Sequence, residues 1–584
     1  MIHLRQACDS PANGEWRNSR FLERMKLVEV ILMNLGGIFQ GIRQDFNLLE
    51  IVLLIAAWQA WRRGWRPQWG WNVRLRRPGL AAVGVAAAVV ALRLAITPVF
   101  PAPVPIVTDE FSHQLLADTL MEGRLANPTH PHWQHFESLH IIQQPHYVSN
   151  YFPGHAVILA AGMWLLRDPW AGVLAEAFVF LAVLYWALCG WMPGRWALFG
   201  VVVAGLRFGI ASYWVNAFHG GFLPAIGGAL VLGAIARLLR GAALIDGLLF
   251  GLGGSLLLVS RPFEGALFCL PITAALAWNL RGNIPGLLKT AAACVLLLGI
   301  TGAALAIYFQ AVTGHPFTTA YTISQKTYGW PMALAWTPPP KIQHRHVEFA
   351  AYYDYEVSEH EKVAAPVGFV ESLSFRAQEY WRFFFGPVLT IPLLMWKRVW
   401  RRRKIAMAGL CGVLCAVGLE GASSPHYAAP ATAVLVLLVV DGVRHLQASR
   451  IRIAMALPAV MLSVLTLRIG AENLGLPFTQ KVNFQTWCCR VEGNRNKAKF
   501  TAKLERIAGE HLVLVKAKTD PYNFLQWIYN RAEIDKARIV WARDLGNEKN
   551  AALMKHFRTR NVWIVDPNVE PATMTPLRME SAVH

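Results

Sequence analysis

The sequence predicts a polytopic α-helical membrane protein of about 11–13 transmembrane helices with a small α/β domain at its C-terminal end. Three observations predict it. Hydrophobic residues make up 54% of the 584 and charged residues only 16%, too apolar for a soluble chain of this length. Lys and Arg cluster in short blocks between apolar runs, so the net charge of +20 reads as membrane topology and excludes a nucleic-acid surface. From about Ala471 the composition turns soluble and short β-rich runs replace the long apolar ones.

Residues 1–78 form an N-terminal segment. It holds two apolar runs, Val28–Ile42 and Leu48–Trp61, each short for a span of roughly 20 residues. A basic block follows, Arg62, Arg63, Arg66, Arg74, Arg76 and Arg77, with Trp61, Trp65, Trp69 and Trp71 interleaved at headgroup depth. This block belongs in the cytoplasm. The extreme N-terminus has arginines but no apolar core followed by small residues, so no removable signal peptide is expected.

Residues 79–470 read as the transmembrane domain. Its first span, Gly79–Val99, carries the chain outward and delivers Asp109 and Glu110 to the external side. Phe152–Leu166 is short and is expected to dip into the membrane and return, while Trp170–Trp191 is full-length. That parity puts Arg237 and Arg240 inside. Spans follow at Trp196–Tyr213, Phe222–Leu239, Ala243–Val259, Gly265–Leu280, Leu287–Val312, Phe383–Trp396, Ile405–Glu420, Tyr427–Asp441 and Ile453–Leu467. The blocks Lys397–Lys404 and Arg444–Arg452 then fall inside, and the loops 99–152 and 313–381 fall outside with Tyr213–Gly221, Ser260–Glu264 and Ser423–His426. Residues 471–584 form the external α/β domain. Its strands are expected at 511–515, 537–542 and 561–566, mostly parallel, with a helical stretch at Tyr522–Lys536. It has no Gly-rich phosphate loop. The eight cysteines show no metal-ligand spacing, and the adjacent Cys488 and Cys489 read as an incidental pair.

The stretch from Asp109 to His155 concentrates the chemistry. It opens on an acidic pair just where a membrane helix must end, and it holds seven histidines against one basic side chain, Arg124. A partly desolvated carboxylate at that boundary gains basicity, which suits a general base for a hydroxyl. The alternative is that Thr108 or Asp109 caps the helix Phe111–Met121. His130, His132 and His135 are near enough in sequence to hold a divalent metal, although without helical spacing they serve equally as hydrogen-bonding groups.

The order of a first span, Asp109-Glu110-Phe111, the amphipathic SHQLLADTLMEGRL, a long loop and Tyr151-Phe152-Pro153-Gly154 before many further spans resembles the GT-C glycosyltransferases, which include protein O-mannosyltransferases and lipid A aminoarabinose transferases. The resemblance implies a sugar donor on polyprenyl phosphate and Asp109 as catalytic base with Glu110 beside it. It implies no resident cofactor, and as partners membrane lipid and a lipid, glycan or protein acceptor. The mannosyltransferases carry His-Pro-Pro-Leu-Gly-Lys after the loop helix, where this chain has Gln144-Pro145-His146 and Pro153-Gly154, so sugar and acceptor stay open.

Cations near anions complete the candidate set. Arg261, in Ser260–Glu264, needs an anionic partner: Glu264, the first loop, or a donor phosphate. Lys326 and His426 are further phosphate candidates, and Tyr147, Tyr151, Tyr213, His219, Glu264 and Tyr321 are candidate substrate-lining residues. The expected activity is inverting transfer of a hexosyl or pentosyl group from the lipid-linked donor to a hydroxyl on the external, periplasmic face of a bacterial inner membrane. The alternative is a transporter or flippase of lipid-linked saccharides, for which mid-span acids and similar halves are absent from the sequence.

Overall fold

Apolar runs that open on a proline become helices here, because proline at the first helical position has its φ preset and loses no hydrogen bond. In a computed structural model the described residues are 45–65, 77–241, 243–329, 334–449, 451–476, 485–489, 493–518 and 527–577. The expected run Val28–Ile42, Arg66, Arg74 and Arg76 of the basic block and part of Tyr522–Lys536 lie outside them.

The membrane domain begins with α1 (Asp45–Arg62), α2 (Pro78–Ala95) and α3 (Thr108–Met121), followed by the small ribbon β1 (Ile141–Ile142) and β2 (Val148–Ser149). Next come α4 (Gly154–Leu166), α5 (Pro169–Cys189), α6 (Gly194–Ala204), α7 (Phe222–Leu238), α8 (Leu244–Leu258), α9 (Pro262–Leu280) and α10 (Ile284–Thr313). The segment expected as a loop at 313–381 is itself helical: α11 (Ala320–Tyr328), α12 (Val347–Ala364) and α13 (Pro366–Phe384). Then α14 (Gly386–Leu393), α15 (Trp396–Arg402), α16 (Lys404–Leu419), α17 (Thr432–Ala448) and α18 (Leu457–Gly470) complete the bundle.

Among the described residues, α2, α5, α9, α10 and the continuous stretch Pro425–Ala448 are long and apolar enough to cross a membrane, and five shorter apolar helices accompany them. Leu270, Trp278, Val295 and Ile307 are exposed on α9 and α10, where only hydrocarbon is a suitable solvent, so the chain is a multi-pass membrane protein. At the centre stands α7, in which every residue but Arg237 is buried. Its glycines admit a close neighbour: a Cβ on Gly228 would lie 1.9 Å from the Pro430 carbonyl oxygen.

Two expected spans are broken. Phe383–Trp396 divides at Gly386, whose φ is +56°, and Pro387 opens the shorter α14. Trp196–Tyr213 stops as α6 at Ala204 and continues as a single π-turn, Gly205–Gly209. Both breaks serve one buried ion pair. Arg207 Nη1 lies 3.6 Å from Glu50 Oε1, both side chains fully buried, and Arg207 covers the Trp487 ring at 4.0 Å. Glu50 Oε2 accepts the Val388 N–H at 3.1 Å, fastening α1 to α14.

The C-terminal domain is a mixed sheet in the order β4-β3-β5-β6, from β3 (His511–Val515), β4 (Ile539–Arg543), β5 (Asn561–Asp566) and β6 (Thr573–Pro576). The three predicted strands are parallel to one another, and β6 adds an antiparallel edge on β5. Its helices are α19 (Arg495–Arg506) and α20 (Asn547–His556). The expected helix at Tyr522–Lys536 is corrected over its described part, 527–536, which is irregular. The Asn530 side chain there pairs with both the N–H and the C=O of Trp541 at 2.8 Å, while its own carbonyl accepts from Tyr147 and the Ala532 N–H goes to Asp118, so backbone groups a helix would need are committed elsewhere. Cys488 and Cys489 are joined by a disulfide.

Candidate active site

The first turn of α3 separates its two carboxylates, as neighbouring positions about 100° apart require. Glu110 is fully buried. Its Oε1 accepts the N–H groups of Ile106 and Val107 at 3.0 and 3.4 Å, and its Oε2 accepts the N–H of Phe218 at 3.0 Å. Those bonds hold the helix start and the 211–221 turn together. The geometry makes Glu110 a holding group rather than one that meets substrate.

Asp109 turns the other way. Its Oδ1 lies 2.5 Å from Nδ1 of His140, around which Thr108 Oγ1 and the Tyr151 hydroxyl also gather at 2.9 and 3.0 Å. His140 has a φ of +60°, a left-handed conformation that costs a non-glycine residue of order 1 kcal/mol. Ser112 Oγ and the Asn150 N–H both donate to its carbonyl, at 2.7 and 3.2 Å, and hold it there. Burial raises the pKa of Asp109, but His140, then His219 and the Tyr151 hydroxyl outweigh it and keep the carboxyl well below the usual range. The expectation of raised basicity is therefore corrected. The resting Asp109 carboxyl is ionised.

A cavity of about 550 Å³ adjoins this group, lined among others by Arg261, Glu264, Tyr321, Glu356, Glu420 and Tyr427. The rings of Tyr321 and Tyr151 meet at right angles with centroids 5.6 Å apart, linking cavity and dyad. Arg261, just before α9, has its Nη1 3.3 Å from Glu264 Oε1 and its guanidinium 3.9 Å over the Tyr427 ring. Two carboxyls there resist ionisation. Burial, with Asp109 and Glu359 nearby, lifts Glu356 to about 7 against the pull of His140. Burial and Glu264 lift Glu420 to about 9 against Arg261 and Arg376. At neutral pH Glu420 is therefore a hydrogen-bond donor.

Of the predicted residues, the structure brings Asp109, Tyr151, Tyr321, Arg261 and Glu264 together. Lys326 is exposed on α11 while Tyr321, Thr322 and Gln325 of the same helix face the cavity, so it is not brought to the site. His426 and Tyr213 are buried against each other, Nδ1 to hydroxyl at 3.1 Å, and His219 packs edge-on against Tyr213. These three form a layer behind the site and do not line the cavity. Tyr147 is buried and donates to the Asn530 carbonyl at 3.0 Å, clamping the first loop to the C-terminal domain. His140, Glu356 and Glu420 were missed. The signal for Glu356 was the acid-rich, Tyr-rich helix pattern YYDYEVSEHE within 313–381.

The histidines grouped by sequence do not converge on one point. His135 Nδ1 meets the Arg543 carbonyl at 2.8 Å. The ligand atoms of His130, Asp535 and His556 instead lie within 4.8 Å of one another. His130 Nδ1 accepts the His132 N–H at 2.9 Å, which puts its ring proton on Nε2, facing Asp535 at 3.0 Å. That is a hydrogen-bonded arrangement.

No family model matches the sequence, and no curated protein matches it. Among solved structures the chain is similar to ArnT from Cupriavidus metallidurans in the apo state, at 12% identity and TM-score 0.46 over 83% of this chain and 93% of that one. It is also similar to the apo form of the Archaeoglobus fulgidus oligosaccharyltransferase, at 11% identity and TM-score 0.46 over 85% and 70% of the two chains. The same oligosaccharyltransferase tethered to an acceptor peptide containing the NVT sequon gives 11% identity and TM-score 0.45 over 84% and 69%.

Proposed function

We propose that this chain is a membrane glycosyltransferase of the GT-C type, moving a sugar from a polyprenyl-phosphate donor to a hydroxyl acceptor in a single inverting displacement. The observation that carries the reading is an ionised carboxylate, Asp109, oriented by His140 and Tyr151 beside a cavity that holds Arg261. In this reading the bond from the sugar carbon to the phosphate oxygen breaks as the acceptor oxygen bonds to that carbon. Arg261 takes up the charge left on the phosphate, and the protonated Glu420 donates a hydrogen bond to its oxygens. The acceptor proton goes to Asp109. A weak base suffices, because an oxygen bonding to a cationic sugar carbon becomes strongly acidic before the proton moves.

The paired test uses consumption of lipid-linked sugar in membranes containing equal amounts of each variant. Asp109→Asn keeps size and removes proton acceptance, so turnover falls roughly 10²–10⁴-fold with thermal stability unchanged. Glu110→Gln keeps most turnover but loses about 1.5–3 kcal/mol of stability, because it weakens hydrogen bonds from backbone N–H groups to a buried charge. Near-normal turnover by Asp109→Asn removes that residue from the reaction.

A further inference from the structure

Positions 111, 114, 118 and 122 of α3 and its C-terminal turn, on a different face from Asp109, line a second cavity of about 810 Å³ closed by the C-terminal domain. Its far wall is built by the start of α19, Tyr529 and Trp541. Gly493 allows this closeness: a Cβ there would lie 2.4 Å from the Pro105 carbonyl oxygen, so any side chain would push the α19 start off the 104–105 segment.

Among the described residues, two buried donors in this cleft have no partner, the Lys497 ammonium and Nδ2 of Asn494. Lys497 sits 5.3, 5.6 and 5.1 Å from the ring centres of Phe111, Tyr529 and Trp541. Aromatic faces attract a cation, but they do not replace the three hydrogen bonds an ammonium makes in water. Burial pulls the amine down to about 7. The orientation of Asn494 is not free to relax the problem. Its Oδ1 accepts the Lys497 N–H at 2.9 Å as the cap of α19, so the amide nitrogen must point away.

The described carboxylates in the cleft do not fill the vacancy. Asp118 accepts both Arg531, at 2.6 Å, and the Ala532 N–H, at 2.7 Å. Glu533 is paired with Arg124 and Lys536. Glu122 and Glu505 are exposed at the rim. The cleft thus combines donors without acceptors, the amino end of a 12-residue helix whose dipole favours negative charge, and three aromatic walls.

We infer that this cleft binds a small ligand carrying an oxyanion, a carboxylate or a phosphate ester, whose oxygens accept from Lys497 and Asn494 while its body packs against Phe111, Tyr529 and Trp541. The site is separate from the Asp109 cavity and does not depend on the reaction proposed there. Because Phe111 and Asp109 share one turn of α3, the occupant also braces the helix that presents Asp109.

The test uses the full chain in detergent at constant ionic strength, with inorganic phosphate, galacturonate and neutral galactose as probes. Acetylation of Lys497 by acetic anhydride is followed by peptide mass spectrometry, alongside the thermal midpoint. At about ten times its dissociation constant, a bound anion slows Lys497 labelling about tenfold and raises the midpoint. Protection by phosphate alone assigns the phosphate-ester class, and protection by galacturonate alone the carboxylate class. Lys497→Met should abolish the rise in midpoint with either anion. Labelling of the unaltered chain that is insensitive to both anions overturns the inference, as does equal protection by galactose. Neither result needs a variant to fold.

Discussion

At the scale of single residues, the site depends on the same groups being ionised differently by their surroundings. Asp109 is held charged by His140, while burial lifts Glu356 and Glu420 to about 7 and 9. The sign of the pH dependence follows. Between pH 6 and 9.5 the two glutamic acids lose their protons in turn, so negative charge appears beside Arg261. Donor KM should rise about tenfold for each carboxylate ionised, equivalent to about 1.4 kcal/mol of lost affinity. Glu420→Gln should flatten the upper limb of that profile, and a KM flat from pH 6 to 9.5 in the unaltered chain excludes the assignment. Asp109 and Arg261 were legible in the sequence because a charge at the end of an apolar run needs a reason. His140 and Glu356 were not, because their importance arises from tertiary neighbours, such as Asp109 31 positions before His140, which no local pattern encodes.

At the scale of elements, hydropathy located most of the helices but not their breaks. Phe383–Trp396 reads as one span, yet Gly386 turns the chain where Glu50 approaches: a Cβ on that glycine would lie 2.8 Å from Glu50 Oε2. The break follows from a partner more than 300 residues earlier. Removing that partner leaves Arg207 buried and unpaired, so Glu50→Ala should lower stability by about 3–5 kcal/mol in detergent unfolding. The double change Glu50→Leu with Arg207→Met should cost much less, since it buries no charge. Equal losses would show that packing and not the ion pair holds α1. The C-terminal strands were legible from their β-branched runs, whereas the segment 527–536 was not. Its helical composition is overridden by bonds of the Asn530 side chain to the Trp541 backbone and of the Ala532 N–H to Asp118 of α3.

At the scale of the whole molecule, the C-terminal domain is fastened to the first loop. Asp118 holds Arg531, Tyr147 holds Asn530, Ser138 donates to the Ile528 carbonyl and His135 meets that of Arg543. The domain and Asp109 must therefore lie on one side of the membrane. A reporter fused after Arg77 should read cytoplasmic and one fused within the C-terminal domain external. The same reading from both fusions would contradict this arrangement. The long helix α10 links this architecture to the lipid itself. Its 30 residues extend about 45 Å, against a hydrocarbon layer of about 30 Å, so it must lean or project beyond the bilayer. Its last residue, Thr313, bonds the carbonyls of His315 and Thr318, and two residues later begins α11, the helix that sets Tyr321 against Tyr151. The placement of the Tyr321 wall is thereby tied to the end of a helix whose tilt depends on the thickness of the bilayer around it.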